Sequence, residues 1–478
     1  MNLIKSTYLV SILALLLFSG SSLLAQDRVI INQADAAVGV TIDGEQVRKI
    51  LNDVILRTDD MVMSTDSAYQ YIDRDLLVTY NTQIETEEEV IWADTIYYDI
   101  EREYSRLRGR VIIRSENSLL FSDSMDVDMA NDITTFEVPV RFEDDRGTLI
   151  AESGIYLQEA DSAVFRGNVQ LSDSTQYLEA DSLFMNRSND LYELFGRVYA
   201  NDFEDDVRFS GEYLYADSTG YRLLRNNAWL MEVDESKSDT THLFAEEVEL
   251  IETDSLSTMD AFGNVRIWSP DFSAVADTLL FNEQEERFIL RSDPALWQQS
   301  IQLTGPYIEA RFENDSLRFM TSYPRPIIVQ EDSLTDRLHQ MAGDTLNAWF
   351  ENQELQRVRV FDNAEIIFHQ TDENDEPDGL IEMFADGAAT MFFENGDFDF
   401  FRASNNINGS YLPENPEIID RQLDNFNWTP GRRPEKPDPR TPRLPPITDT
   451  LPFELPPRYL NFLENLEAEV IEPAAEDN

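Results

Sequence analysis

The sequence predicts an all-β protein, an elongated repeat array of stacked antiparallel strands with an apolar interior and repeats of roughly 29 residues. Three observations predict this fold class. A carboxylate-led phrase recurs along the chain, apolar and polar residues alternate after each copy, and helix-like spacing is confined to the C-terminus. Because one pair of strands cannot bury its own apolar face, stacked copies are needed to build a continuous one.

The first 25 residues are predicted to be an export signal. Lys5 precedes an apolar run, and small residues lead to a cleavage site after Ala25. An uncleaved membrane anchor is the alternative, because Leu23 is larger than is usual at this distance from a cleavage site. In both cases the rest of the chain is exported.

Composition excludes several classes of function. The chain has 37 Lys and Arg residues against 92 Asp and Glu residues, a net charge of −55, and this field repels nucleic acids. There is no cysteine, which excludes disulfides and thiolate metal sites. The three histidines are too dispersed in sequence to indicate a zinc site, so neither a metal nor a cofactor is expected.

The repeat is defined by a marker carboxylate, as in "WADTIYYD" from Trp92. Successive markers are 28 to 34 residues apart, which predicts a repeat architecture. The markers are Asp66, Asp94, Asp123, Glu152, Asp181, Glu212, Glu246 and Asp277, with looser copies at Asp344 and Asp386.

A second phrase lies between the markers, as in "LRGRVII" from Leu107 and "FRGNVQL" from Phe165. We therefore expect each repeat to hold two short strands, each introduced by a turn residue: Gly for a positive φ, Asp for bonds to nearby backbone. A ladder of catalytic or cation-binding carboxylates is the alternative, but an active site needs one special place. The residues assigned this structural turn role are Asp94, Asp123, Asp181, Asp277, Asp344, Asp386, Gly109, Gly167, Gly196 and Gly263.

Side-chain parity predicts one apolar face. Residues two and four positions after the marker or the Gly are mostly apolar, and the intervening ones are mostly polar. Period-2 alternation places the first set on a single face of the sheet. The predicted lining of this face, and of any ligand groove, is Ile96, Tyr98, Val111, Ile113, Met125, Val127, Val169, Leu171, Leu183, Met185, Val265, Ile267, Leu279 and Phe281.

The C-terminal region differs in composition. Residues 413–457 hold 12 of the 20 prolines, which predicts an extended segment outside the sheet. The predicted organisation is an export signal at 1–25, two β-repeat arrays at 26–231 and 232–411, a proline-rich linker at 412–457, and an acidic tail with helix-like spacing at 458–478.

The alternating phrases, the export signal and the lack of cysteine together resemble the OstA-like family of periplasmic lipopolysaccharide-transport proteins, related to LptA and to the N-terminal part of LptD. The resemblance covers about residues 30–395. It implies a folded-over sheet, a β-jellyroll or half-pipe whose apolar inside shelters acyl chains. It also implies a periplasmic location, with outer-membrane association as a further expectation.

The implied partners are lipopolysaccharide or a similar amphiphile, and other OstA-like β-jellyroll proteins that pair edge to edge. The chain departs from the family in holding about twice the repeats of a minimal bridge protein, in lacking a barrel segment, and in its acidity.

The leading functional hypothesis is a non-catalytic, lipid-binding conduit or chaperone in lipopolysaccharide transport and outer-membrane assembly. The chain carries no Gly-x-Ser-x-Gly, phosphate-loop or His-Glu-x-x-His motif. The alternative is an exported envelope scaffold with a dry β-repeat core. A third hypothesis, a carbohydrate-active enzyme, requires one special carboxylate such as Asp181 or Asp277.

Overall fold

The computed structural model describes residues 30–462 apart from short gaps at 58–60, 88, 116, 146, 205, 235–238, 254–255, 314–315, 333, 352–353, 375 and 395–396. The predicted export signal and most of the acidic tail lie outside the described residues. Within these limits the predicted all-β class is confirmed, because the chain forms 34 strands that pair antiparallel. No helix in this part of the chain combines the length and apolar character needed to cross a membrane.

Contacts divide the described chain into two units. The first unit contains residues 30–200 and 442–462, and the second contains residues 201–441. Short 3-10 turns occur at Ile72–Arg74, Arg187–Asn189 and Pro430–Arg432, and residues 457–462 are helical.

In the first unit, β3 to β8 pair consecutively as a meander. β8 then pairs with both β9 and β10, and β11 and β12 both pair with β13, so two short strands replace each long one here. The strands that begin in this unit are β1 Ile30–Gln33, β2 Ala36–Ile42, β3 Glu45–Arg57, β4 Val62–Tyr71, β5 Leu76–Glu85, β6 Glu89–Asp99, β7 Tyr104–Ser115, β8 Ser118–Asp128, β9 Ile133–Phe136, β10 Val140–Asp144, β11 Gly147–Ala151, β12 Ser153–Leu157, β13 Ser162–Ser172, β14 Gln176–Asn186 and β15 Leu191–Asp202.

In the second unit, β16 to β20 pair consecutively, and β20 then pairs with both β21 and β22. From this point the strands form two ladders, β21-β24-β25-β28-β29-β32-β33 and β22-β23-β26-β27-β30-β31-β34. The strands are β16 Val207–Ala216, β17 Tyr221–Asp234, β18 Asp239–Thr253, β19 Leu256–Trp268, β20 Ser273–Asn282, β21 Arg287–Arg291, β22 Ala295–Gln298, β23 Ile301–Thr304, β24 Tyr307–Glu313, β25 Ser316–Tyr323, β26 Ile327–Asp332, β27 Arg337–Ala342, β28 Thr345–Glu351, β29 Glu354–Phe361, β30 Ala364–Thr371, β31 Pro377–Ala385, β32 Ala389–Glu394, β33 Asp397–Ala403 and β34 Asn408–Pro413.

Long strands such as β7 carry a bulge at which two consecutive residues adopt the left-handed conformation. Gly109 and Arg110 have φ values of 72° and 45°, and the pairing of β6 with β7 shifts register there. The residue pairs that repeat this feature inside the described strands are Asn52 and Asp53, Gly167 and Asn168, Gly196 and Arg197, Asn226 and Asn227, and Gly263 and Asn264. Two successive residues with positive φ re-aim the strand, as β-bulges do.

The expectation that markers and glycines introduce separate strands is therefore corrected. The Gly phrase is a bulge inside one strand, because both halves continue the same ladder. The marker residues found inside strands are Asp94, Asp123, Asp181 and Asp277, whereas Asp344 and Asp386 lie between strands. The glycines found inside strands are Gly109, Gly167, Gly196 and Gly263.

Candidate functional site

The face predicted from parity, hereafter the inner face, is buried in both units. Val111 and Val169 have no exposed surface, and Val127 and Leu171 are half-buried. The remaining buried members are Ile96, Tyr98, Ile113, Met125, Leu183, Met185, Val265, Ile267, Leu279 and Phe281. The last four of these belong to the second unit and the others to the first.

Strand pairing brings parts of the inner face together. Ile96 and Met125 are both cross-strand neighbours of Leu107, and Val169 is opposite Ala180. Tyr98 lies on the same face and carries a polar atom. Its hydroxyl is buried and has no hydrogen-bond partner among the described residues, and burial raises its pKa. The inner face thus holds a hydrogen-bonding group that no described residue uses.

Several marker carboxylates each bind a residue in the left-handed conformation that lies 15 to 20 residues later in the chain. Asp94 accepts hydrogen bonds from the Arg110 guanidinium at 2.6 and 3.0 Å. The pairs that repeat this contact are Asp66 with Asn81, Glu152 with Asn168, Glu246 with Asn264, Asp344 with Asn363, and Asp386 with Asn406. A carboxylate that stabilises the bulge explains why the marker and the Gly phrase recur together.

Asp123 and Asp277 differ from the other markers. Opposite Asp123 the next strand is interrupted between β9 and β10, and opposite Asp277 it is interrupted between β21 and β22.

Asp181 binds two arginines, Arg197 and Arg443, and the Arg197 guanidinium lowers the pKa of this carboxyl. No group of three metal-ligating side chains occurs among the described residues.

Sequence reasoning missed what covers the opposite face of the sheet. Residues 414–462, hereafter the strap, form no strand, yet they lie against residues of opposite parity to the inner face. In the first unit these residues form one cross-strand row, hereafter the strap row: Trp92, Ile112, Phe121, Arg141, Ile150, Gln170 and Glu179.

The strap row binds the backbone of the strap. The buried Glu179 carboxylate accepts hydrogen bonds from the N–H groups of Arg443 and Leu444 at 2.7 and 2.9 Å. Gln170 donates to the carbonyl of Pro445 at 2.8 Å, and Arg141 donates to that of Thr448 at 2.7 Å. Later strap residues thus contact earlier strands, so the strap runs back along the sheet.

Tyr177 completes the polar part of this site. Its hydroxyl donates to Glu179 at 2.8 Å and accepts from Gln170 at 2.9 Å. Burial raises the pKa of Tyr177, so this hydroxyl stays protonated near neutral pH. Glu179, Gln170 and Tyr177 are all buried, and a buried polar group without a partner costs about 1–3 kcal/mol. Within the sheet Tyr177 is a partner of both Glu179 and Gln170, and the strap supplies their further hydrogen bonds.

The end of the strap is anchored by aromatic residues. Tyr459 is buried against Trp92, with ring centroids 4.5 Å apart in an edge-to-face arrangement. Phe453 makes a similar contact with Phe121 at 6.2 Å. Arg458 forms an ion pair with Asp66 beside a pocket of about 310 Å³. These rings contribute apolar burial to the docking of the strap.

In the second unit, two glutamines bind the strap in the same way. Gln302 donates to the carbonyl of Asn427 at 2.7 Å and accepts from the N–H of Thr429 at 2.9 Å. Gln340 donates to the carbonyl of Arg421 and accepts from the N–H of Leu423, both at 2.9 Å. Each carboxamide therefore binds the carbonyl of one strap residue and the N–H of the residue two positions later.

Two histidines that are 30 residues apart in sequence are neighbours. The backbone N–H of His369 donates to Nδ1 of His339, and the two rings are 6.3 Å apart. This pair is dispersed in sequence but adjacent in the fold, because β27 and β30 are adjacent strands. Burial lowers the pKa of His339 to about 4 and also lowers that of His369.

This burial predicts a pH dependence of stability. The folded protein holds His339 neutral down to about pH 4, whereas the unfolded chain binds a proton near pH 6.5. The unfolded state therefore binds more protons between these values, and the free energy of unfolding falls as the pH is lowered. We expect His339→Gln to remove up to about 3 kcal/mol of this decline. Urea unfolding at pH 7 and pH 4.5 measures it, and equal declines in both proteins would contradict the assignment.

The strap contacts had a weak signal in the sequence. "RVII" and "SLLF" place apolar residues at consecutive positions, so both faces of these half-strands are apolar. Strands that are buried on both faces show such continuous runs. Gln170, Glu179, Gln302 and Gln340 gave no signal, because a polar residue at an outward position is ordinary on a solvated face.

Comparison with known proteins gives one family match. Residues 26–181 match the model of the OstA-like protein family. A search of curated proteins found no match. Among solved structures, the chain matches LptH of Pseudomonas aeruginosa, described as the LptA homologous periplasmic component of the lipopolysaccharide transport device.

The LptH match has 15% sequence identity and a TM-score of 0.24, and it covers 30% of this chain and 95% of LptH. A TM-score of this size is too low to support an inference. The region that the family model matches contains the first five markers, the bulge glycines Gly109 and Gly167, and the whole strap row. Residues 26–181, about one third of the chain, are therefore similar to the OstA-like protein family.

Proposed function

We propose that this chain is a non-catalytic, periplasmic lipid-binding protein of lipopolysaccharide transport and outer-membrane assembly. It shelters the acyl chains of lipopolysaccharide, or of a similar amphiphile, on its inner face. The observation that carries this proposal is the inner face itself, where residues of one parity stay apolar and buried on both sides of the bulges. The OstA-like match over residues 26–181 supports it.

The physical chemistry of the ligand fits an acidic protein when affinity comes from the acyl chains. Burial of each CH₂ group contributes about 0.8 kcal/mol. The net charge of −55 repels the phosphates of a lipid headgroup, so these groups stay in solvent or are bridged by divalent cations. The unpartnered Tyr98 hydroxyl fits a hydroxyl or ester oxygen on the ligand.

The partners we propose are other OstA-like β-jellyroll proteins that pair edge to edge. In the described part of the first unit, β2 pairs with β3 alone, and it is largely exposed. In that of the second unit, β33 pairs with β32 alone and β34 with β31 alone. Phe400 and Tyr411 on these last two strands are exposed. Unpaired edges of this kind accept a strand from another protein.

A second candidate is an envelope scaffold with a dry core. The burial of Val111 and Val169 favours it, because protein atoms alone already cover these side chains. The two candidates differ in how the inner face responds to added volume. A dry, well-packed core loses about 1–3 kcal/mol when a side chain is enlarged, whereas a groove has room for it.

Val169→Phe tests the two candidates. The matched control is Val164→Phe, because Val164 is half-buried on the other side of the same strand. If the inner face binds lipid, we expect Val169→Phe to fold with little loss of stability and to lose most of its bound lipopolysaccharide, while Val164→Phe keeps it. Native mass spectrometry after incubation with lipopolysaccharide measures binding, and urea unfolding measures stability.

The opposite outcome would support the scaffold. In that case Val169→Phe is destabilised by about 1–3 kcal/mol, and the wild-type chain shows no added mass at any lipopolysaccharide concentration. Wild-type binding that survives Val169→Phe unchanged would place the lipid elsewhere and would contradict the inner-face assignment.

A further inference from the structure

Part of the strap is held through its backbone. Gln302 and Gln340 each bind a carbonyl and the N–H two residues later, and Glu179 binds two successive N–H groups. A carboxamide offers one donor group and one acceptor in a fixed plane, as a neighbouring strand does. The sheet thus recognises an extended polypeptide from its outer face, without adding a strand.

Two ion pairs help to fix the segment on the first unit. Residues 442–462 carry two cationic residues, Arg443 and Arg458, and two acidic ones. Arg443 contacts Asp181 and Arg458 contacts Asp66, so both cations bind marker carboxylates of the sheet. This part of the strap is therefore a proline-rich ligand without net charge whose two cations are both paired. Prolines restrict it to extended conformations, which lowers the entropy lost on binding.

We propose that the strap row of the first unit is a peptide-binding site, that residues 442–462 are its resident ligand, and that the same segment of a second copy of this chain binds there by exchange. A second copy is the partner because its segment reproduces every contact. These are the backbone bonds to Glu179, Gln170 and Arg141, the ion pairs to the markers, and Tyr459 against Trp92.

Exchange competes with the resident segment. A tethered ligand has an effective concentration in the millimolar range, so an intact chain binds a free copy of the segment weakly. Cutting the tether removes this advantage without removing any contact. The site is then available to a free segment at micromolar concentration.

The experiment uses the full chain with a protease site inserted between Thr441 and Pro442, cut after folding. The probe is a labelled synthetic peptide of residues 442–462. We expect the cut chain to exchange its resident segment for one labelled peptide per chain, at least about 100-fold more tightly than the uncut chain binds it. Fluorescence anisotropy measures binding, and size-exclusion chromatography measures release of the resident segment.

Variants of the sheet locate the bound peptide. Glu179→Gln leaves one acceptor for two backbone N–H groups, and we expect it to weaken peptide binding about 10-fold or more. The matched control is Asp126→Asn. Asp126 also binds a tyrosine hydroxyl and an arginine in the first unit, namely those of Tyr104 and Arg108, but these belong to the sheet and not to the strap.

Three results would overturn the proposal. The resident segment stays bound after cutting and never exchanges, which makes it an integral part of the fold. The segment leaves and the peptide does not bind in its place. A peptide of the same composition in scrambled order binds equally well, which shows attraction by composition alone and no preference for the segment of a second copy.

Discussion

Trp92→Ala is expected to lower the free energy of unfolding of the first unit by about 3–5 kcal/mol. Trp92 is buried beneath Tyr459 and Phe462 of the strap, and its indole N–H donates to Gln83 at 3.0 Å. The substitution removes a large apolar surface and leaves a cavity between the sheet and the strap. Urea unfolding monitored by circular dichroism measures the loss. Phe195→Ala is the control, because Phe195 is exposed in the same unit.

Tyr459→Ala separates strap docking from the stability of the sheet. We expect it to speed tryptic cleavage after Arg443 and Arg458, because the last aromatic anchor of the strap is gone. If the rings of Trp92 and Tyr459 stabilise each other, the double variant Trp92→Ala with Tyr459→Ala loses less stability than the two single variants together. We expect this difference to be about 0.5–1.5 kcal/mol. Unchanged cleavage and strict additivity would show that the strap does not depend on this contact.

Alternation was sufficient to predict the sheet and its inner face. Val111 and Val169 follow a Gly by two positions, and both are fully buried on the predicted face. The period-2 rule works here because each strand half keeps its parity across the bulge. The predicted strand boundaries were wrong at Gly109 because a positive φ indicates a turn as readily as a bulge, and only pairing with the next strand distinguishes them.

The strap was beyond the reach of the same rule. Proline content predicts an extended segment, but it carries no period that says which surface the segment contacts. The polar residues that bind it, such as Gln170 and Gln302, are separated from it by more than 100 residues in sequence. In these contacts a side chain binds main-chain atoms of the strap. Because every residue has the same main-chain atoms, the sequence does not indicate which strap residues are bound.

The sequence predicts a structural role for the bulge glycines but does not reveal their contact with the marker carboxylates. A substitution at Gly109 tests its contact with Asp94. Gly109→Ala is expected to lower the free energy of unfolding by about 2–4 kcal/mol. Gly109 has a φ of 72°, and an added Cβ lies 2.6 Å from Oδ2 of Asp94 and 3.0 Å from its Cβ. Asp94 is held by hydrogen bonds from Arg110, so it cannot move away freely.

Gly39→Ala is the matched control, since an added Cβ there meets nothing within 4 Å, and we expect a change within about 0.5 kcal/mol. The backbone and contact parts of the cost are separable by adding Asp94→Ala to Gly109→Ala. Because Asp94 is partly exposed, losing its ion pair costs about 0–1 kcal/mol alone, while its truncation relieves the 2.6 Å contact with Oδ2 and leaves the one with Cβ at 3.0 Å. The double variant should therefore recover part of the lost stability and retain the left-handed backbone cost. A double variant no more stable than Gly109→Ala would assign the whole effect to φ, and the marker would then have no part in selecting glycine.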